Sequence, residues 1–418
     1  MKIAVWHNLP SGGGKRALYY HVRGLVEKGH SLEAWCPSTS NRTYLPLSDI
    51  ITEHVLPINN SRRKNFMPRT PLLREFHGGE LRQSKALDEH CQRCAEEINR
   101  GDFDILFANS SVIHAVSSIG RYVKTKKVLY LQEPNRRLYE AGEGGLPWVA
   151  IPAASRTWMR PRYMRWFLFD LIRTQQLRIL ARDERLNASA FDLILVNSYF
   201  SREGLLRIYG LDSRVCYLGV DTKLFVNHRY PRENFVVSVG ALGRHKNVEL
   251  IIEAVSKMTA PRPRLMWIAN TGWDEYYGEM RNLAESRDVT FEARLNVSDT
   301  ELVETLNRAT AMVYAPRLEP FGLAPLEASA CGLPVVAVAE GGVRESVIDG
   351  LNGLLVQHQP EAIAHAIQRL VQDKNLAAQL SENGSKIVEE KWSVNSAVER
   401  LERQLTEVAT PEASPSFE

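Results

Sequence analysis

The stretch that decides the fold is RLEPFGLAPLEASACGLPVVA, residues 317–337. Two carboxylates, Glu319 and Glu327, flank two prolines and a glycine in this stretch. An interior proline lacks the backbone N–H and clashes with the preceding turn, so no helix runs through the whole segment. We predict a loop at Glu319, a helix that begins near Leu323 with Pro325 in its first turn, and a buried strand after the helix.

This loop and helix predict different settings for the two carboxylates. The amides around Phe321, Gly322 and Leu323 would form a positive helix N-terminus, which suits a diphosphate. Glu327, one turn into the helix, is placed to accept the hydroxyls of a ribose. Glu319 stays on the loop, so the two side chains are expected to have different roles.

Outward from this stretch, short apolar runs alternate with amphipathic helical segments along the chain. Runs such as KIAVW, FDLILVN and NFVVSVG are apolar on both faces, as in parallel sheets covered on both sides by helices. The chain has 418 residues, which fits two domains of roughly 200 residues each. We predict an α/β fold with two doubly wound Rossmann-like domains, which bind ligands beyond the carboxyl ends of their strands.

The domain boundaries follow from changes in composition. The polar, basic run DTKLFVNHRYPR, residues 221–232, is interpreted as a linker. The domains are therefore predicted over residues 1–222 and 233–390. A helix over 391–409 is expected to pack back on the first domain, and the tail 410–418 is predicted to be disordered.

Composition excludes several classes of protein. Hydrophobic residues make up 44% of the chain and charged residues 24%, and the net charge of +3 implies no general attraction to nucleic acid. Five cysteines in this length favour a reduced, cytoplasmic setting. The opening MKIAVWHNLP is predicted to be a strand and not a signal peptide. Cys91 and Cys94 have no second pair, so no metal site is predicted.

A glycine loop, SGGGKRA at residues 11–17, leaves several interpretations open. Gly12, Gly14 and Ala17 match G-x-G-x-x-A, and Glu33 follows near the end of the second predicted strand, as in a dinucleotide site. An NAD(P)-dependent oxidoreductase is therefore one alternative. The loop before Gly12 is longer than the corresponding loop in that motif. This favours two other interpretations: a loop whose backbone amides bind a phosphate or sugar, or a simple turn between strand and helix.

A second loop, GALGRHKN at residues 240–247, offers cations. Arg244 and Lys246 could neutralise an anionic ligand beside Glu319 if the two strand ends are neighbours in the sheet. Spacing in the sequence does not establish that neighbourhood.

The segment EPFGLAPLEASACGLPVVAVAEGGVRESVIDGLNGLLV closely resembles the signature of the large retaining glycosyltransferase family called group 1 or family 4. Four other segments are also similar to the family: LPSGGGKRALYYHVRGLVEKGHSLEAW, FDLILVNSYFSREGL, YLGVDTKLF and KWSVNSAVERLERQL. The resemblance implies the GT-B fold, in which two Rossmann domains face each other across a cleft. It also implies that the glycine loop lies by the diphosphate and the acceptor, without NAD.

The resemblance assigns roles by position. Glu319 would face the transferred sugar, Lys246 and Arg244 would neutralise the diphosphate, and Glu327 would hold the ribose. The other implied contacts are backbone groups of the donor loop, glycines lining the cleft, and residues near the base: Phe321, Gly322 and Leu323; Gly12 and Gly13; Arg294 and Leu295.

Two positions depart from the family pattern. Ala241 stands where the family usually has an arginine, and Arg244 is the candidate replacement. The histidine that often follows the VLYLQ strand is absent, which leaves Gln132 and Glu133 as candidates beside the sugar. These departures keep open a non-catalytic, glycosyltransferase-like binding protein.

The implied reaction is retaining transfer from a nucleotide-diphosphate sugar by a metal-independent enzyme without a cofactor. The acceptor is expected to be a glycan or lipid-linked glycan of the cell envelope or an exopolysaccharide. Residues 156–182 carry seven arginines against one acid, interleaved with aromatic residues. With the basic stretch 59–69, they predict peripheral contact with the inner face of a membrane.

Overall fold

The computed structural model describes residues 1–58, 79–139, 160–270, 272 and 274–410. The basic stretch 59–69, residues 156–159 and the tail from 411 onward lie outside the described residues. The described chain forms two compact units. Unit 1 comprises Met1–Val196, Ser201–Val215 and the chain from Leu401, and unit 2 comprises Asn197–Phe200 and Cys216–Arg400.

Unit 1 is built on one parallel sheet. Its strands in chain order are β1 (Lys2–Asn8), β2 (Ser31–Pro37), β3 (Thr52–Leu56), β4 (Ile105–Ser111), β5 (Lys126–Tyr130), β6 (Leu193–Val196) and β7 (Arg214–Val215). Their order across the sheet is β3-β2-β1-β4-β5-β6-β7. The intervening helices are α1 (Gly13–Glu27), α2 (Gly79–Ile98), α3 (Ile119–Tyr122), α4 (Arg136–Tyr139), α5 (Pro161–Ala188) and α6 (Tyr199–Tyr209). The first two residues of α6 belong to unit 2 and the rest to unit 1.

Unit 2 repeats this architecture. Its strands are β8 (Phe235–Val239), β9 (Arg264–Ala269), β10 (Phe291–Leu295), β11 (Ala311–Tyr314), β12 (Val335–Val338) and β13 (Gly353–Val356), in the order β10-β9-β8-β11-β12-β13. Its helices are α7 (Val248–Ser256), α8 (Asp274–Ser286), α9 (Asp299–Arg308), α10 (Leu323–Ala330), α11 (Val343–Ser346), α12 (Pro360–Gln372) and α13 (Lys374–Lys391). The last helix, α14 (Val394–Ala409), begins in unit 2, and its residues from Leu401 belong to unit 1.

The sequence patterns explain these elements. Every residue of β11 and β12 is buried, because helices cover both faces of the sheet. Helix α9 begins where its cap predicts, since the Ser298 hydroxyl accepts the Glu301 N–H at 3.2 Å. The two doubly wound α/β units agree with the predicted fold class.

Residues 221–232 pack within unit 2 and do not form a free linker. The second segment of unit 1 ends at Val215, and residues Cys216–Arg400 belong to unit 2. The Arg232 guanidinium donates to the carbonyls of Asn307 at 2.7 Å and Gly332 at 2.5 Å. These contacts within unit 2 override the polar composition that favoured a linker.

Candidate functional site

Strand order brings the two predicted loops of unit 2 together. Strands β8 and β11 pair in parallel, so the loops at their carboxyl ends are neighbours. The Lys246 ammonium lies 2.7 Å from a carboxylate oxygen of Glu319, and these side chains are 17% and 18% exposed. The contact between these two loops, which the sequence alone did not establish, is therefore present.

Two hydrogen bonds to backbone carbonyls hold these two loops in register. The Asn247 side-chain amide donates to the carbonyl of Ala315 at 2.7 Å, and the Arg317 N–H donates to the carbonyl of His245 at 3.3 Å. Gly240 has φ 153°, and an added Cβ would lie 3.5 Å from the Lys246 side chain. The loop is thus shaped to carry Lys246 over Gly240 toward Glu319.

The turn after Glu319 leads into the predicted helix. Helix α10 begins at Leu323, as predicted, with Gly322 as its N-cap at φ 87°. An L-residue with a side chain rarely adopts this conformation, which explains the glycine. Phe321 is buried, and its ring lies 5.6 Å from that of Trp392. The helix N-terminus is therefore fixed beside the Lys246–Glu319 pair.

Tyr314, at the end of β11, is a site residue that the sequence interpretation missed. Burial raises the pKa of Tyr314 well above its usual value, and the charges of Glu319 and then Glu327 raise it further. Tyr314 therefore stays protonated beside Glu319. A tyrosine as the last residue of the strand before Glu319 was the available signal.

Arg244 does not join this group. Its guanidinium lies 2.7 Å from the carboxylate of Glu279 and 3.8 Å from that of Glu249, and its side chain is 73% exposed. The structure therefore does not place it as the replacement for an arginine at Ala241. The short 3-10 turn at 244–246 directs Arg244 toward α8, whereas Lys246 points to β11.

The predicted base-binding residues lie at the edge of the same sheet. Leu295 ends β10 and is 50% exposed, beside Gly272, whose added Cβ would lie 3.6 Å from it. Arg294 instead pairs with Glu292 at 2.7 Å. Of the two candidates, only Leu295 offers an exposed apolar surface at the carboxyl end of the sheet.

In unit 1 the glycine loop contacts Gln132, one of the two residues after β5 that the sequence predicted to lie beside the sugar. Gly12 is the N-cap of α1 at φ 131°, and the helix begins at Gly13. An added Cβ on Gly14 would lie 2.9 Å from the side-chain nitrogen of Gln132, so this amide rests on the loop. Glu133 instead lies 3.7 Å from Arg136.

The dinucleotide interpretation fails on the position of Glu33. An acid that binds a ribose must lie at the carboxyl end of β2, but Glu33 is the third residue of that strand. Its carboxylate is 2.9 Å from His54. The strand continues to Pro37, so Glu33 lies four residues before the ligand-binding end.

A buried polar cluster lies at strand ends of unit 1. Among the described residues, His7, Cys36 and Glu53 form the one group of three potential metal ligands within 4.8 Å of one another. Lys15 is fully buried nearby. Burial alone would raise the pKa of Glu53, but the hydrogen bond with His7 and the charges of His7 and Lys15 lower it. That internal cation opposes a second positive charge at the same place, so we assign the cluster to charge compensation.

Comparison with solved structures identifies the fold. Two all-parallel, doubly wound units are the architecture of GT-B glycosyltransferases. The structure of Anabaena HepE in complex with UDP and glucose aligns with a TM-score of 0.70 at 17% identity, covering 97% of this chain and 100% of that one. Sucrose-phosphate synthase from Thermosynechococcus elongatus aligns with a TM-score of 0.69 at 19% identity, covering 97% and 99%.

Sequence comparison finds a family similarity over part of the chain. Residues 220–387, which lie in unit 2, match the model for glycosyl transferases group 1. Human alpha-1,3/1,6-mannosyltransferase ALG2 is 28% identical over 52% of this chain and 59% of its own length. D-inositol 3-phosphate glycosyltransferase of Acidothermus cellulolyticus is 30% identical over 46% and 48%. The chain thus spans about half the length of these curated relatives.

Proposed function

We propose that this protein is a retaining glycosyltransferase that uses a nucleotide-diphosphate sugar as its donor. The observation that carries the proposal is the Lys246–Glu319 pair, at 2.7 Å, beside the N-terminus of α10 in unit 2. This arrangement lies inside the residues that match the group 1 family. Relatives of the chain are named as mannosyl- and inositol-phosphate glycosyltransferases, which agrees with the reaction type.

The difficult step is departure of the diphosphate, because negative charge accumulates on it. Lys246 and the N–H groups at the start of α10 provide fixed positive charge for that leaving group. The amides concerned are those of Phe321, Gly322 and Leu323. We propose that, when the donor binds, the Lys246 ammonium leaves its ion pair with Glu319 and pairs with the diphosphate instead.

The carboxylates serve the two other parts of the donor. Glu327 is buried on α10, and we assign it to the ribose hydroxyls. Glu319 is assigned to the transferred sugar, with the neutral phenol of Tyr314 beside it. The exposed side chain of Leu295 is the surface that we assign to the base.

The acceptor is assigned to unit 1, at the glycine loop of Gly12 and Gly13 with Gln132 resting on it. We propose a glycan or lipid-linked glycan as its class. Retention follows a same-face path in which the departing diphosphate and the entering hydroxyl share one side of the sugar. Nuclear magnetic resonance of the newly formed anomeric bond tests this stereochemistry, and an inverted product would refute it.

Contact with a membrane surface is proposed for α5. Trp166 is 55% exposed and Leu171 is 56% exposed on this arginine-rich helix. Exposed aromatic and aliphatic side chains among cations favour an anionic lipid surface. Among the described residues, no helix has the length and apolar character needed to cross a membrane.

Co-sedimentation with anionic vesicles tests this contact. Trp166→Ser and Leu171→Ser should reduce binding, and Ile348→Ser, which changes an exposed residue of unit 2, is the matched control. Equal sedimentation of all variants would exclude α5 as the contact.

A thermal-shift screen against UDP-, GDP- and ADP-sugars tests the donor proposal. A ligand at 100 times its dissociation constant stabilises the folded protein by about 2.7 kcal/mol. The shift should shrink in Lys246→Met and persist in Glu361→Gln, a change at the separate Lys257–Glu361 pair. Absence of any shift, or a shift insensitive to Lys246, would refute the donor site.

Transfer must then be shown with the donor that binds. Release of the nucleoside diphosphate, with and without EDTA, tests both turnover and the prediction that no metal is needed. Binding without any hydrolysis or transfer across a broad acceptor panel would favour the non-catalytic alternative.

A further inference from the structure

The turn that carries Glu319 is held from behind by two contacts to its carbonyls. The Gly342 N–H donates to the carbonyl of Glu319 at 2.7 Å, and the Ser198 hydroxyl donates to the carbonyl of Pro320 at 2.5 Å. An added Cβ at Gly342 would lie 2.0 Å from that Pro320 oxygen. The turn is therefore packed directly against backbone and fixed on both of its peptide units.

Ser198 is itself held by a carboxylate distant in sequence. Glu345 accepts the backbone N–H groups of Tyr199 at 2.9 Å and of Phe200 at 3.0 Å. These N–H groups begin α6, whose first turn has no helical acceptor of its own. Because Glu345 binds the two residues directly after Ser198, it restricts the backbone that carries the Ser198 hydroxyl.

The same carboxylate reaches the other side of the turn through a tyrosine. The Tyr217 hydroxyl donates to Glu345 at 2.9 Å. The Tyr217 ring lies 6.0 Å from that of Phe321 and 4.9 Å from that of Trp392. Phe321 directly precedes the N-cap of α10, so this path ends at the helix start assigned to the diphosphate.

We propose that Glu345 is a positioning residue for the donor site, acting through Ser198 and Tyr217 on the turn at Glu319. All of these residues belong to unit 2. This role rests on the proposed function, since Glu319 and the α10 N-terminus are its targets. Glu345 touches neither Lys246 nor Glu319, so it acts on their placement and not on the chemistry.

The geometry separates this role from general stabilisation. Displacing reacting groups by about 1 Å can cost on the order of 100-fold in rate. Loosening the turn should therefore lower kcat by roughly 10- to 100-fold and change the donor KM little. A residue that only stabilised the fold would lower the melting temperature without this split.

The test uses variants that remove one interaction each in the full chain. Glu345→Gln replaces an acceptor oxygen by a donor, Ser198→Ala removes the contact to Pro320, and Tyr217→Phe removes one hydroxyl. Ser256→Ala is the matched control, because the Ser256 hydroxyl also donates to a carbonyl of unit 2, that of Glu253, at 2.7 Å.

Two readouts are measured on each variant. The first is hydrogen exchange of the Gly342 N–H without ligand, because this amide donates to the Glu319 carbonyl of the turn. Its exchange should quicken at least about tenfold in Ser198→Ala and Glu345→Gln and not in Ser256→Ala. The second is the kcat–KM split with the donor found by the screen. Exchange at wild-type rates, or a kcat loss shared by Ser256→Ala, would overturn the proposal.

The exchange readout keeps this inference separate from the proposed function. If no nucleotide sugar binds and Lys246→Met changes nothing, the proposed function fails, but exchange of the Gly342 N–H still decides whether Glu345 holds the turn. If Lys246→Met abolishes turnover while Glu345→Gln, Ser198→Ala and Tyr217→Phe keep wild-type kcat, the positioning role is refuted and the donor site stands.

Discussion

Neutralising the two partners of the Lys246–Glu319 pair should shift nucleoside diphosphate binding in opposite directions. The pair is closed at 2.7 Å, with the side chains 17% and 18% exposed. Lys246→Met removes the cation that meets the diphosphate. Glu319→Gln removes an anion beside it and releases the ammonium from its present partner. The first variant should bind more weakly than wild type, and the second more tightly.

The size of both effects follows from Coulomb's law. Unit charges about 5 Å apart interact by about 3 kcal/mol at an effective dielectric constant near 20. Partial exposure of the pair allows solvent to screen this, which leaves about 1–2 kcal/mol. The dissociation constant should therefore rise roughly 5- to 30-fold in Lys246→Met and fall by a similar factor in Glu319→Gln.

Isothermal calorimetry with UDP, GDP and ADP measures these shifts without an acceptor or a sugar. Glu361→Gln, at the separate pair with Lys257, is the control and should bind as wild type does. Turnover should fall in both site variants, because each removes a group assigned to the reaction. Weaker binding in Glu319→Gln, or an unchanged dissociation constant in Lys246→Met, would refute the assignment of charges.

Three further predictions concern groups placed by the fold. Burial raises the pKa of Glu184 from 4.5 in the unfolded chain to about 7 in the folded protein. As the pH rises from 4.5 to 7, the unfolded chain gives up this proton before the folded protein does, so the free energy of unfolding falls by up to about 3 kcal/mol. Urea unfolding at pH 5 and 7.5 should show this loss in wild type and not in Glu184→Gln, and equal losses would contradict it. Tyr314→Phe should leave nucleotide affinity nearly unchanged and lower kcat about tenfold, because the hydroxyl beside Glu319 is lost; steady-state kinetics with the identified donor would show a KM effect instead if Tyr314 bound the nucleotide. Gly342→Ala should destabilise unit 2 by about 1–3 kcal/mol through crowding at Pro320, whereas Gly204→Ala, with nothing within 4 Å of the added Cβ, should be neutral or stabilising in thermal unfolding; similar changes in both would refute the crowding.

Local sequence sufficed wherever local sterics decide the conformation. The prolines at 320 and 325 exclude a continuous helix, so α10 begins at Leu323 as predicted. The Ser298 cap likewise locates α9. Runs that are apolar on both faces predicted buried parallel strands, because such runs are stable only between two helical layers.

Composition misled where a segment's partners are distant in sequence. Residues 221–232 are polar, yet the Arg232 guanidinium donates hydrogen bonds to the carbonyls of Asn307 and Gly332 inside unit 2. Glu33 matched a motif spacing but lies near the amino end of β2. A spacing does not report which end of a strand a residue occupies.

By itself, the sequence determined the loop, the helix start and the separation of Glu319 from Glu327, because backbone sterics act over a few residues. Only the tertiary structure decided that Lys246 meets Glu319, since this depends on β8 pairing with β11. It also decided that Arg244 turns to Glu279, and that Glu345 holds the start of α6. Hydrogen bonds and ion pairs need contact within a few ångströms, and the order of strands in the sheet determines which loops come that close.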